Sequence, residues 1–310
     1  MLQFRNGWLA FELGVLRRLK FTSVALPFTG EPELAAELKR GRVRVAANDP
    51  MIWSHTKALA LIENSSETLD EGDLETLLDD AYVPGEKLNN PALLKWFNET
   101  DAWWFDNLYA NSRHLHPYKQ ALALTAGMMT GDYVLSFNEK TRTLRKPLSL
   151  SDTFRRLLAS LPNPEDNGMR NKSTNQDVRN FVAERHHTDL LFLRLPVPAT
   201  QTPFVRDPII AWREEWLRGD DNFWIDFERG RQARLGSTVQ SKQQYLGFVE
   251  DLLRTASHIP VWAIAHTENG FISNDELVEK ISRVRKVASI YSKDFSDMLG
   301  VRASVIVADA

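Results

Sequence analysis

The sequence predicts an α/β protein, a doubly wound sheet of the nucleotide-binding type interrupted by a mainly helical insert. Three observations predict it. The stretch Phe21 to Asp49 reads strand, glycine turn, helix, strand, acid. The middle of the chain carries helical rather than alternating patterns. After Asp177 an alternation of strands and helices resumes. On this reading residues 1–64 and 176–310 form the sheet domain, and residues 65–175 form the insert.

Met1 to Lys20 holds Trp8-Leu9-Ala10-Phe11-Glu12-Leu13-Gly14-Val15-Leu16, compatible with a helix packed on the sheet. Phe21 to Leu26 is an apolar run of strand length, closed by Pro27 and Gly30. Glu33 to Arg40 has good helix formers, with acids early and bases late as the helix dipole favours. Gly41 ends it, and Val43 to Ala47 predicts a second strand leading to Asn48-Asp49. Ser54 to Asn64 reads as the next helix. Ser65 to Asp80 is acidic and predicts a solvated loop and helix face. Pro84-Gly85 and Asn89-Asn90-Pro91 mark turns. Trp96, Phe97, Trp103, Trp104, Phe105 and Tyr109 recur at helical spacing, which favours core packing over base stacking. Tyr118 to Met129 predicts a strong helix. Phe137 to Pro147 is basic and hairpin-like, and Asn163 to Asn175 reads as a polar, mobile connection.

In the last third, Asp177 to Arg185 predicts a short helix and Asp189 to Leu195 an apolar strand. Gln243 to Ser257 is an amphipathic helix burying Tyr245, Leu246, Phe248, Val249, Leu252 and Leu253. Val261 to Ala265 is a strand. Ser273 to Val284 is a helix with Ser273 as N-cap and Glu276 as its box partner. Ala288 to Tyr291 and Ala303 to Val307 close the sheet.

Composition narrows the function classes. With 310 residues, 43% hydrophobic and 25% charged, the chain matches an ordinary globular protein. No uninterrupted apolar run reaches membrane-spanning length, and the amino terminus lacks a signal-peptide pattern, so the expectation is a cytoplasmic protein with no membrane partner. The absence of cysteine excludes thiolate catalysis and thiolate-bound zinc. A net charge of −3 argues against global affinity for nucleic acid but leaves room for a local basic face. His186-His187 with Asp189 is a weak metal pattern, because neighbours along a chain point different ways, and no metal site is expected. His266, at a strand end, is a candidate general base without a paired nucleophile. Arg229 to Arg234 reads as a basic surface loop.

Taken in order, these segments resemble the Dam-like family of DNA adenine methyltransferases. That resemblance implies a Rossmann-like methyltransferase sheet with a helical, DNA-recognition-like insert. Leu26-Pro27-Phe28-Thr29-Gly30 falls at the family's acid-Pro-Phe-x-Gly turn, and Asn48-Asp49 on its Asn-Asp pair. Pro27, Phe28, Gly30 and Asp49 are thereby implied for S-adenosylmethionine, if a cofactor is bound at all. The hairpin-like segment falls on the DNA-recognition insert, implying Asn138, Lys140, Arg142, Arg145 and Lys146 as nucleic-acid contacts. Trp262-Ala263-Ile264-Ala265 and Asn269-Gly270-Phe271-Ile272-Ser273 match the family's later strand and glycine loop.

The departures fall on the chemistry. Where the family has Asp-Pro-Pro-Tyr, this chain has Arg194-Leu195-Pro196-Val197. Adenine methylation requires an aspartate and a proline carbonyl to accept the amine's hydrogen bonds, and a ring to stack on the flipped base. Arg194 donates only. Val197 offers no ring. Leu26 replaces the cofactor acid, Glu31-Pro32 follows Gly30, Arg5-Asn6-Gly7-Trp8 lacks the amino-terminal lysine, and Ala265-His266-Thr267 replaces Ser-Tyr-Asn. The expectation is a pseudoenzyme that binds DNA or serves as partner subunit of an active, homologous methyltransferase. One alternative is an active enzyme drawing its acid from Asp189 or Glu268; another is an interaction protein without nucleic acid.

Overall fold

The structure, a computed structural model, describes residues 2–138, 140–144, 148–198, 207–268 and 271–309; of residues 2–6, 142, 298 and 299 it describes the backbone alone. Two compact units form. The first comprises Met1–Pro50, Asn167–Val205 and Phe227–Ala310, the second Met51–Asp166 and Arg206–Asp226.

The first unit is built on a seven-stranded sheet: β1 (Ser23–Leu26), β2 (Arg44–Asn48), β3 (Lys172–Thr174), β4 (Leu190–Arg194), β5 (Val261–Glu268), β6 (Lys286–Asp294) and β7 (Arg302–Asp309). Its order is β3-β2-β1-β4-β5-β7-β6. β7 alone runs against its neighbours, pairing Val261 with Asp309 on one side and Lys286 with Asp309 on the other. Parallel strands buried on both faces read as continuous apolar runs. Ser23–Leu26 and Leu190–Leu193 are buried throughout, which is why both stood out in the sequence.

Helices α1 (Leu2–Leu16) and α2 (Glu33–Arg40) belong to this unit, as do α8 (Val178–Ala183), α11 (Lys242–Thr255), α12 (Asn274–Ser282) and the short α13 (Ser296–Leu299). The apolar face of α11 predicted from Tyr245 to Leu253 packs with Trp262, Ile264, Phe181 and Ile306. Ser273 caps α12, and the reciprocal bond from its backbone to Glu276 forms as predicted. At the end of α2 the left-handed turn falls on Arg42 (φ 59°), one residue past Gly41.

The second unit holds α3 (Ile52–Ala58) with a following π turn (Leu59–Glu63), α4 (Glu71–Leu78), a 3₁₀ turn at Pro91–Lys95, α5 (Glu99–Ser112), α6 (Pro117–Leu135) and α7 (Leu150–Leu158). It is completed by α9 (Pro208–Arg218) and the start of α10 (Phe223–Gly230). Trp212 and Trp216 of α9 press onto Gly131 and Gly127 of α6, leaving no room for a methyl group at either glycine. Phe97, Trp104 and Phe105 complete this core, so the aromatic cluster is packing, as its spacing indicated.

The polar groups of α9 are all engaged. Glu214 accepts from the amides of Ile52 and Trp53 at 3.0 and 3.1 Å, Glu215 accepts from Trp96 and Trp224, and Arg213 pairs with Asp132.

Two expectations need correction. The units divide at Met51 and Asp166 rather than at 65 and 175, and the second unit recruits Arg206–Asp226. The reason is that α3 presents Trp53 to the helical core, while Lys172–Thr174 joins the sheet beside β2. Asn163 to Asn175 is therefore no loose connection. The Asn171 side chain accepts from Val45 at 2.9 Å, and Asn167 donates to the carbonyls of Lys39 and Val43. Finally, residues 139 and 145–147 of the hairpin-like segment lie outside the described residues, and no strand forms among those described. Asn138 accepts from the amides of Lys140 and Thr141, and a 3₁₀ turn follows at Arg142–Leu144. Among the described residues no helix is long and apolar enough to cross a membrane.

Candidate functional site

In an open α/β sheet, ligands lie outside the carboxyl ends of the strands where the strand order reverses. Here that point lies between β1 and β4. Three segments predicted from sequence meet there: Pro27–Gly30 after β1, Asp49 after β2, and Arg194–Val197 at and beyond the end of β4.

Gly30 has φ 59° and a clear space around its missing side chain, so the left-handed turn demands glycine, not a close approach by a neighbour. Its amide donates to Asp49 Oδ2 at 2.8 Å. Asp49 is buried, and its carboxylate fastens the turn. Asn48 braces the same corner: its amide donates to Pro27 O and Gln176 O, and its Oδ1 accepts from Thr174 and Gln176. The Thr29 hydroxyl and amide both donate to the Asn48 carbonyl at 3.0 Å. Phe28 packs into the sheet unit's core, near Gly236.

Arg194 turns back into the sheet end. Its Nε and Nη2 donate to the two carboxylate oxygens of Glu12 at 2.8 and 2.6 Å, and Nη1 donates to the Thr29 carbonyl at 3.3 Å. Glu12 is wholly buried in α1. Burial opposes the guanidinium's charge, but Glu12, helped by Glu33, outweighs it and holds the Arg194 pKa above its ordinary value. A half-buried cation held bidentately by a buried carboxylate is fixed in place.

Beyond it, the Pro196 carbonyl accepts from the Tyr245 hydroxyl at 2.7 Å. Burial pushes the Tyr245 phenol well above its usual range, so it remains a donor. Val197 projects into solvent, 75% exposed. Leu195 continues the pairing of β4 with β5 through its amide and the Ala265 carbonyl.

His266, at the end of β5, is buried and lies 3.2 Å from the Ile272 carbonyl through Nε2. A carbonyl can only accept, so Nε2 carries the proton. Burial lowers the His266 pKa against smaller opposing effects from Ile272 and Glu268, which keeps the ring neutral.

The alternative acids are placed elsewhere. Asp189 sits at the opposite, amino-terminal end of β4, accepting from the Thr22 amide and hydroxyl and the Ser23 amide. It ties the start of β4 to the start of β1 and lies at the other end of the sheet from Arg194. Glu268 accepts from the Asn274 amide at 2.9 Å. Arg234, from the basic loop, pairs with Asp177.

The expected nucleic-acid set belongs to the second unit. Asn138 and Lys140 lie in an exposed turn; Arg145, Lys146, Pro147 and the Arg142 side chain lie outside the described residues, as do Asn269-Gly270 and the side chains of Arg5 and Asn6. Among the described residues no group of three metal-ligating side chains comes together.

Sequence reasoning missed Glu12, Thr29 and the Tyr245 hydroxyl. Glu12 did leave a signal, being the lone charge within the apolar run Trp8–Leu16, just as Arg194 is the lone charge ending an apolar strand. Two isolated opposite charges in apolar elements are the pattern of a pair.

No protein-family model matches the chain, and no curated protein matches it.

Proposed function

We propose that this chain is a non-catalytic relative of the Dam-like DNA adenine methyltransferases, acting by binding DNA or as partner of an active methyltransferase. The observation that carries the reading is the Arg194–Glu12 pair with its third bond to Thr29. At the strand end where the resemblance places an amine-accepting aspartate, a fixed donor stands instead, and the acid that pairs with it has both oxygens engaged.

Three further features support it. The sheet keeps the parallel doubly wound order β3-β2-β1-β4-β5 that the resemblance implies, with the antiparallel β7 between β5 and β6. The Pro196 carbonyl already accepts a hydrogen bond from Tyr245. Val197 offers no ring against which a flipped base could stack. Positioned proton-handling groups contribute about 10²–10⁴-fold to rate, so losing the acceptor and the ring together removes the basis for transfer.

The test is calorimetry with S-adenosylmethionine alongside a labelled-methyl assay on adenine-containing duplex DNA. The expected result is no transfer above background. Transfer at ordinary enzymatic turnover, abolished by Asp49→Ala, would overturn the reading.

A further inference from the structure

The strands β1 to β5 run parallel, and β6 shares their direction because it and β5 both oppose β7. Their amino-terminal ends therefore form one edge of the sheet, opposite the Arg194 crevice. A cation stands at each of those six entrances. Lys172 opens β3, Arg44 opens β2, Lys20 precedes β1, Arg185 precedes β4 and Lys286 opens β6. At the entrance to β5, the Arg285 guanidinium donates to the carbonyls of Ile259, Pro260 and Ser257 while stacking 4.0 Å from the Trp262 ring.

Helix dipoles explain the cations within the last turns of α2, α11 and α12, which end at the same edge. They do not explain Lys20, Arg44 or Lys172, which enter strands. Acids at this edge are outnumbered: Asp189 accepts three bonds on Oδ2, Glu184 lies beside Arg185, Asp309 stands in register with Lys286, and Glu37, Glu250 and Glu279 pair with Arg40, Arg254 and Arg283 of the helix ends. Arg44 donates to the His187 carbonyl and lies close enough to Arg185 to add to burial in lowering that guanidinium's pKa against Glu184. Two neighbouring guanidiniums with a single acid beside them form a site of positive potential.

The division of charge points the same way. The sheet unit holds 24 of the chain's 38 lysines and arginines and 18 of its 41 acids, net +6; the helical unit holds the other 14 and 23, net −9. The unit expected to read DNA is the acidic one. Adjacent strands lie about 4.8 Å apart, so the six intervals of this sheet span roughly 29 Å. That is about the length of eight base pairs at roughly 3.4 Å each, so the row of cations can run beside a phosphate backbone over that length.

We propose that this amino-terminal edge of the sheet is a docking surface for the phosphate backbone of duplex DNA. The choice of DNA rests on the function proposed above; the cationic edge does not. Contacts of this kind position a duplex without reading its sequence, so the affinity depends steeply on salt and little on base order.

Fluorescence anisotropy of a labelled duplex about 30 base pairs long, titrated with the full chain between about 50 and 200 mM salt, tests this. The variant Lys20→Glu/Lys172→Glu/Lys286→Glu changes three exposed side chains. It is expected to weaken binding about 100-fold at the lowest salt and to flatten the log–log salt slope by about 3. The milder Lys20→Gln/Lys172→Gln/Lys286→Gln variant is expected to lose about tenfold, with circular dichroism melts showing that both variants fold. Reversing Arg113, Lys140 and Arg156 in the helical unit should leave affinity within about twofold of the parent.

Binding that survives the edge reversal but falls with the helical-unit reversal would overturn the inference while leaving the non-catalytic reading intact. So would an unmodified chain that ignores the duplex and instead self-associates in a salt-dependent way. Methyl transfer by a chain whose DNA affinity does depend on the edge would defeat the earlier reading alone.

Discussion

The guanidinium of Arg194 spans both carboxylate oxygens of Glu12, joining the end of β4 to the middle of α1 across 182 residues of chain. Removing one partner of such a pair leaves an uncompensated charge in a poorly solvated place. Glu12→Ala is therefore expected to lower stability by about 2–4 kcal/mol in urea unfolding, discounted for the quarter of the Arg194 side chain that solvent reaches. The double variant Glu12→Leu/Arg194→Leu should recover most of that loss. Equal destabilisation in the double variant would show that packing, not charge pairing, dominates.

Placing at Arg194 the aspartate that the resemblance implies should not confer chemistry. Arg194→Asp faces the buried Glu12 with a second carboxylate and is expected to cost about 2–4 kcal/mol. With no ring at Val197 it should still show no methyl transfer. A measurable rate in this variant would mean that the acceptor alone was missing.

Gly131 and Gly127 reverse the usual rule for glycine in a helix. Glycine to alanine in an exposed helix interior gains about 0.5–1 kcal/mol. Here an added methyl group would meet the rings of Trp212 and Trp216, so Gly131→Ala and Gly127→Ala should each cost about 1–3 kcal/mol through overpacking. Thermal melts would read the sign directly. Gly14, with nothing near its missing side chain, is the internal control and should move the other way.

Asp189 sets a pH dependence. Burial raises its pKa, but the donors of Thr22 and Ser23 more than offset this and hold it below the ordinary 3.8. A carboxyl that is more acidic in the folded chain stabilises above its unfolded pKa, and that contribution disappears as pH falls through the folded value. Stability measured from about pH 5 down to about pH 2 should therefore fall less steeply in Asp189→Asn than in the parent. Asp189→Ala, which strands all three donors, should cost about 1–2 kcal/mol at neutral pH.

Tyr245→Phe removes the donor to Pro196 and nothing else of its shape. A loss of about 1 kcal/mol is expected in denaturant unfolding. A stabilised variant would show that the hydroxyl is poorly accommodated beside the β4 end.

Much of the sheet was legible because its strands are short, apolar and punctuated. Val24-Ala25-Leu26 and Leu190 to Leu193 announce themselves, and the Ser273–Glu276 box carries its own local geometry. β3 escaped because its neighbours are asparagines. Asn167 and Asn171 look like loop formers, yet their side-chain amides replace backbone partners across 124 residues or more. Helix α9 passed unnoticed because its charged residues suggest solvent; only the fold reveals that Arg213, Glu214 and Glu215 are buried with dedicated partners. The meeting of Pro27–Gly30, Asp49 and Arg194 followed from strand order. The occupant of that corner, Glu12, required knowing that α1 lies beside it.

The tryptophans of α9 arrive late during synthesis. Their glycine seats on α6 are complete once residue 131 has been made, yet the rings that fill them lie at 212 and 216. A nascent chain therefore carries an open aromatic core through the making of β3 and β4, and it closes before β5, β6 and β7 exist. A chain stopped at residue 207 should bind a hydrophobic dye more strongly than one stopped at 226, whose remaining dye binding comes from the apolar strands β1 and β4 that still await β5 to β7, so the helical unit matures first and the sheet last.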